Sequence, residues 1–180
     1  MEEARGSDGI GAEISELDAL LQGEGKARIP VIGDGWCLIY SWYIALKLKG
    51  INDYPDVDTL VEAAVEELRS NHDAYHLIGD YEKELDEFLN AKIFNRNSID
   101  TMAFALAEIT QTCATIFTVD QNDRTCSKIA KYNISPRSGT QRNHERIEVA
   151  LLLQGLHYDA VVNKDDRGKN NVLNAILNVH

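Results

Sequence analysis

Apolar residues recur at helical spacing through the first half of the chain and in strand-like runs through the second. "SELDALLQ", from Ser15 to Gln22, sets Leu17, Leu20 and Leu21 on one side of a short amphipathic helix that Gly23 ends. From Cys37 to Lys49 the chain is apolar almost all round, so this helix belongs inside the core, with Gly50 just past its end. Asp56 and Asp58 offer caps for a helix over Thr59 to Ser70, with Leu60, Ala64, Val65 and Leu68 inward. A shorter helix around Tyr81 to Leu89 precedes a polar break at Asn95-Arg96-Asn97. Ser98 then caps a helix from Ile99 to about Thr110, where Met102, Ala103, Leu106 and Ile109 recur at helical spacing.

After this helix the pattern changes. "CATIFTV" (Cys113 to Val119) and "CSKIAKY" (Cys126 to Tyr132) flank the turn-like "DQNDRT". "IEVALLL" (Ile147 to Leu153) and "HYDAVV" (His157 to Val162) flank Gln154-Gly155-Leu156, a second hairpin. The unbroken apolar end of "IEVALLL" suggests a strand covered on both faces. "NKDDRGKNN" reads as a loop, and the last ten residues as a strand or a short helix. Helices followed by an antiparallel-leaning sheet that they must cover give an α+β fold in one domain.

At 180 residues, 44% of them hydrophobic, the chain can bury a core. No apolar run reaches the 18 or so residues that cross a bilayer, and the start, "MEEARGSDGIGAE", lacks the basic-then-apolar order of a secretory signal. A net charge of -11, from 29 acids against 18 bases, repels polyanions and argues against nucleic acid as a partner. Basic partners fit better, although an acidic surface also serves solubility alone. Three cysteines with no framework spacing suit free thiols in a reducing compartment.

One of these cysteines has a setting that suggests chemistry. Gly33-Asp34-Gly35-Trp36-Cys37 forms a tight turn and opens the core helix. A helix start favours the thiolate by about 0.3–1 kcal/mol, less than one pKa unit, so a nearby imidazolium is needed to ionise the thiol fully. Gly33 and Gly35 let the backbone bend so that N–H groups there and at Cys37 face one spot, as a developing oxyanion requires. A lone buried cysteine is more often inert core, so the turn needs a partner elsewhere in the chain.

Five histidines compete for that role. His72 and His76, four apart, offer at most two metal ligands with no further cysteine or histidine close by. His144 lies in a charged stretch and His180 is terminal. His157 opens a strand, and Asp159 follows on the same face, with Tyr158 on the other. Asp159 is expected to accept the Nδ1 proton of His157 and leave Nε2 free for a nucleophile.

Together these residues resemble the ovarian-tumour (OTU) family of cysteine proteases, which remove ubiquitin or its relatives from other proteins. Asp34-Gly35-Trp36-Cys37, followed by Leu38-Ile39-Tyr40-Ser41, matches the family's Asp-Gly-x-Cys motif opening a helix. "IEVALLLQGLHYDAVV" matches its late His-aromatic-Asp strand and the apolar strand before it, and "KYNISP" is of a kind found upstream of that hairpin. The resemblance covers Ile29 to Val162 and implies an N-terminal helical arm over 1–28 with an OTU-like catalytic domain over 29–180. It departs at Trp36, where the family often has Asn and where a large side chain could obstruct the leaving-group side. The helix "SIDTMAFALAEI" also lacks a Trp-Gly that many relatives carry at its start.

What the resemblance implies is a fold with a mostly antiparallel sheet packed between helices and the cysteine at a helix N-terminus. Cys37 is then the nucleophile, His157 the general base and later acid, and Asp159 the residue that orients it. Asp34 shapes the oxyanion hole, with Gly35, Trp36 and Cys37 around it. The implied activity is thiol-dependent hydrolysis of the peptide or isopeptide bond after the C-terminal glycine of ubiquitin or a ubiquitin-like modifier. No cofactor, metal, nucleic acid or membrane enters, and a monomer acting in the cytoplasm is expected, the host's if the source is a virus or bacterium. Two alternatives stand beside this one: an inactive OTU-fold module that binds ubiquitin, with Trp36 filling the site, and a cysteine hydrolase of another kind.

Overall fold

A computed structural model of the chain describes residues 15–95, 101–120, 128–139 and 147–166. In chain order the elements are α1 (Glu16–Gly23), β1 (Lys26–Ile29), α2 (Cys37–Leu48), α3 (Val57–Ser70), α4 (Tyr81–Ala91), α5 (Met102–Thr110), β2 (Cys113–Asp120), β3 (Lys128–Ile134), β4 (Glu148–Gln154) and β5 (His157–Asn163). The expected helices and strands recur within a residue or two over the described stretches. The cap at Ser98, Cys126, His144 and His180 lie outside the described residues.

Local chemistry accounts for the helix limits. Ser15 accepts the Asp18 N–H at the start of α1, and Asp56 accepts the Thr59 N–H at 2.7 Å at the start of α3. Gly50 takes the left-handed conformation (φ 75°) just past α2. Gly155 does the same (φ 62°) in the turn that sets Gln154 opposite His157.

The strands form one sheet in the order β1-β5-β4-β2-β3. Every pairing is antiparallel except β2 with β4, whose register runs from Cys113 opposite Glu148 to Thr118 opposite Leu153. β4 is thus an inner strand, and its unbroken apolar run is covered on both sides: Val149 and Leu151 face the main core, and Leu152 faces a second cluster.

That main core lies between the sheet and α2, α3 and α5, with Trp42, Tyr43, Ile39, Ile44 and Leu46 of α2 fully buried at its centre. The second cluster packs Leu17 and Leu21 of α1 on Phe117, Leu152 and Val161. α1 therefore covers the other face of the sheet, and the boundary expected between residues 28 and 29 falls inside β1. β1 is the strand the sequence pattern did not reveal. Lys26-Ala27-Arg28-Ile29 alternates polar and apolar, but over four residues only, with Pro30 at its end. It pairs with β5 through Ile29 opposite Ala160 and Arg28 opposite Val161.

Leu151, fully buried in the middle of the sheet, tests the two-sided packing of β4. Leu151→Ala is expected to cost about 2–5 kcal/mol in urea unfolding.

Candidate active site

Cys37 is the first residue of α2 and is buried, 4% exposed as a residue. The sulfur accepts the Tyr158 N–H at 3.4 Å and lies 3.9 Å from the Leu156 carbonyl. It therefore touches the backbone on both sides of His157. Residues 121 positions apart meet because α2 packs on β5 with its N-terminus at the start of that strand.

His157 and Asp159 share the face of β5 that α1 covers, and their side chains meet with His157 Nε2 2.8 Å from Asp159 Oδ1. The ring is thus turned opposite to the expected orientation. Its far nitrogen, not Nδ1, reaches along the strand to the residue two positions on, because same-face neighbours lie nearly 7 Å apart and the ring must span that gap. Nδ1 is the His157 atom nearest Gly33, 3.7 Å from where a Cβ would stand on that glycine. With Nε2–H donating to the carboxylate, Nδ1 carries the free lone pair.

Asp159 is only 2% exposed. Its Oδ1 also accepts the Val31 N–H at 3.0 Å, and its Oδ2 faces Arg28 at 3.5 Å. Neither partner was visible in the sequence, since both depend on the unrecognised β1. The only available signal was the four-residue alternation that places Arg28 and Asp159 on one face.

Burial pushes the Cys37 thiol above its ordinary pKa. The Tyr158 and Leu38 N–H groups pull it down, and the carboxylates of Asp34 and Asp159 push it up again. The helix start and turn were expected to favour thiolate. Here loss of solvent outweighs them, and the balance disfavours the thiolate.

The cysteine loop is built around Asp34. Its Oδ1 accepts the Trp36 N–H at 2.8 Å, and its Oδ2 accepts the Tyr40 hydroxyl at 2.9 Å and Lys92 Nζ at 3.3 Å. Its carbonyl takes the Cys37 N–H at 3.2 Å. Of the four residues expected around an oxyanion, Trp36 already has its N–H committed to Asp34. The Gly35 N–H makes no hydrogen bond among the described residues, and the Cys37 N–H makes only that long one.

The two glycines serve the loop differently from the expected backbone freedom, since neither adopts positive φ. A Cβ on Gly35 would stand 1.7 Å from the Lys92 carbonyl oxygen at the end of α4. Gly35 is there because the loop backbone presses onto that helix end. Trp36 is turned the same way: its indole N–H donates to the Phe88 carbonyl at 2.8 Å, and its ring packs on Phe88 and Tyr40 with Lys92 Nζ 4.7 Å from its centroid. The indole belongs to the packing against α4.

His72 Nδ1 donates to the Arg69 carbonyl and the ring stacks on Tyr81, and Cys113 is a half-buried free thiol beside Ser135. Neither approaches the Cys37 cluster in any of these contacts.

No family model matches the chain, and no curated protein matches it in sequence. Solved structures do match. The OTU domain of OTUD1 superposes with a TM-score of 0.59 at 18% identity, over 81% of this chain and 91% of that one. An OTU deubiquitinase from Wolbachia pipientis, bound to ubiquitin, gives a TM-score of 0.61 at 12% identity over 79% and 98% of the two chains. The same enzyme without ubiquitin gives 0.51 at 17% identity over 84% and 96%. This chain has the OTU fold.

Two outcomes check the site. Gly35→Ala is expected to displace the loop from α4 and lower the melting temperature, because a backbone carbonyl cannot yield as a flexible side chain would. Alkylation of Cys37 by iodoacetamide, followed against pH in the free protein, is expected to have its midpoint above that of N-acetylcysteine in the same buffer. A midpoint below the free thiol would mean that the sulfur rests as thiolate.

Proposed function

We propose that this chain is a thiol-dependent deubiquitinase, hydrolysing the peptide or isopeptide bond after the C-terminal glycine of ubiquitin or a ubiquitin-like modifier. One observation carries the reading: the Cys37 sulfur lies against the backbone on either side of His157, 3.4 Å from the Tyr158 N and 3.9 Å from the Leu156 carbonyl oxygen, and the far nitrogen of that histidine is 2.8 Å from a buried aspartate. Such a thiol–imidazole–carboxylate series suits acyl transfer. The substrate class is supported by the fold, because a neighbour sharing it carries ubiquitin in its structure. The net charge of -11 suits the two arginines that precede ubiquitin's Gly-Gly end.

In this reading the thiol starts protonated. As substrate binds, Nδ1 of His157 takes the proton and the sulfur attacks the glycine carbonyl carbon. The negative oxygen that forms is received by the Gly35 and Cys37 N–H groups at the start of α2. Asp159 holds Nε2–H and stabilises the imidazolium without taking the proton. The imidazolium then protonates the departing lysine amine as the C–N bond breaks, leaving a thioester on Cys37. Water, deprotonated by the same Nδ1, attacks the thioester and releases the glycine carboxylate and the thiol. Asp34 shapes the loop without entering the chemistry. Trp36, taken up by Phe88 and α4, leaves the plugged-site alternative without its cause.

Ubiquitin carrying a C-terminal propargyl electrophile is expected to label the protein once, at Cys37, and Cys37→Ala is expected to abolish both labelling and cleavage of ubiquitin dimers. Labelling at Cys113, or none, would overturn the assignment. Cleavage that survives Cys37→Ala would do the same.

A further inference from the structure

Arg28 and helix α1 stand outside the three residues that the chemistry needs, yet they reach the same carboxylate. Arg28 Nη1 lies 3.5 Å from Asp159 Oδ2, and its Nη2 donates to Asp18 Oδ2 of α1 at 2.9 Å. Asp18 is fixed in turn by Ser15, whose hydroxyl donates to the same oxygen at 2.6 Å. The result is one continuous polar line, Ser15–Asp18–Arg28–Asp159–His157, running from the cap of α1 to the imidazole.

The line follows from the register. Arg28 stands opposite Val161, one same-face position beyond Asp159, on the sheet face where Leu17 and Leu21 pack. A carboxylate 2% exposed must have both oxygens compensated. Oδ1 is taken by the Val31 N–H and His157. Oδ2 has the guanidinium. Without it one carboxylate oxygen would be buried with no donor, and the side chain would turn away from the ring to find one.

We propose that Arg28, held by Asp18, is a positioning residue for the reaction: it compensates the second oxygen of Asp159, holds that side chain against the ring, and thereby keeps His157 as the Nε2–H tautomer with Nδ1 free for the thiol. The helix α1 is then part of the apparatus rather than an appended arm. The groups facing the imidazole are few. Asp159 comes from its own strand, with Arg28 of β1 and Asp18 of α1 behind it, and uncharged Gly33 lies beside Nδ1. β4 presents Gln154 and Leu152, which carry no charge. No other described cation lies within ion-pair reach of Asp159 to replace Arg28.

The kinetic half of the test rests on the deubiquitinase reading; the spectroscopic half does not. With 15N-labelled histidine at neutral pH, the wild-type ring is expected to show Nε2 protonated and Nδ1 bare. In Arg28→Met the two nitrogens are expected to move toward averaged shifts as the tautomers mix, and Arg28→Lys is expected to restore most of the wild-type pattern. On ubiquitin bearing a C-terminal fluorogenic amide, Arg28→Met is expected to lower kcat by about tenfold to a hundredfold, the range that a charge-assisted contact commands, with KM within about twofold. Asp18→Asn leaves Arg28 in place and is expected to give a smaller loss of the same kind, so the result survives if Arg28→Met fails to fold. Unchanged ring shifts in a folded Arg28→Met or Asp18→Asn variant would sink the inference. A wild-type protein with the expected ring shifts but no action on ubiquitin would sink the function and leave the positioning role intact.

Discussion

A carboxylate buried between strands sets the terms for the rest of this molecule. Asp159 has lost almost all its water, and a carboxylate in that position is tolerable only when both oxygens have donors. The donors come from three directions: the Val31 N–H beyond the end of β1, the Arg28 side chain, and the imidazole of His157. Satisfying one buried charge therefore fixes where β1 pairs, how the following loop leaves it, and which way the histidine turns. That loop leads directly to Gly33 and the thiol. The arrangement of the candidate site is a by-product of compensating a single charge.

The second constraint is a close approach of two backbones. The Asp34–Trp36 turn lies so near the end of α4 that only a glycine fits at 35, and Lys92 itself adopts a left-handed conformation (φ 54°) to present its carbonyl there. Lys92 then reaches back with its ammonium to Asp34 and Tyr40, while Trp36 clamps onto Phe88. The loop that carries the candidate oxyanion donors is thus held by a helix from another part of the chain. Its N–H groups are therefore fixed in place by contacts from outside the loop.

Much of this was legible in the residues. The helical spacing of Leu60, Ala64, Val65 and Leu68 marked α3, and the continuous apolar run of "IEVALLL" marked an inner strand. The period-two relation of His157 and Asp159 put them on one face. The illegible parts have physical causes. β1 is four residues long, below the length at which alternation stands out from chance. The ring orientation depends on the reach of a side chain, which spacing does not encode. The raised thiol pKa depends on burial from all sides, and the turn motif speaks only for local hydrogen bonds. Trp36 looked obstructive because its size was visible and its direction was not.

The position of β5 has one more consequence. It sits between β1 and β4 in the sheet, so the strand nearest the beginning of the described chain has no neighbour until residues 157–163 arrive. During synthesis, α2 can form early from its own apolar sequence, but the sulfur at its tip lacks both the imidazole and the backbone donor of Tyr158. Such long-range closure is slow compared with local helix formation. A nascent chain emerging from the ribosome therefore carries that cysteine without its Tyr158 donor until β5 slides into place, and the grouping of Cys37, His157 and Asp159 arrives together with the pairing of β1, β5 and β4.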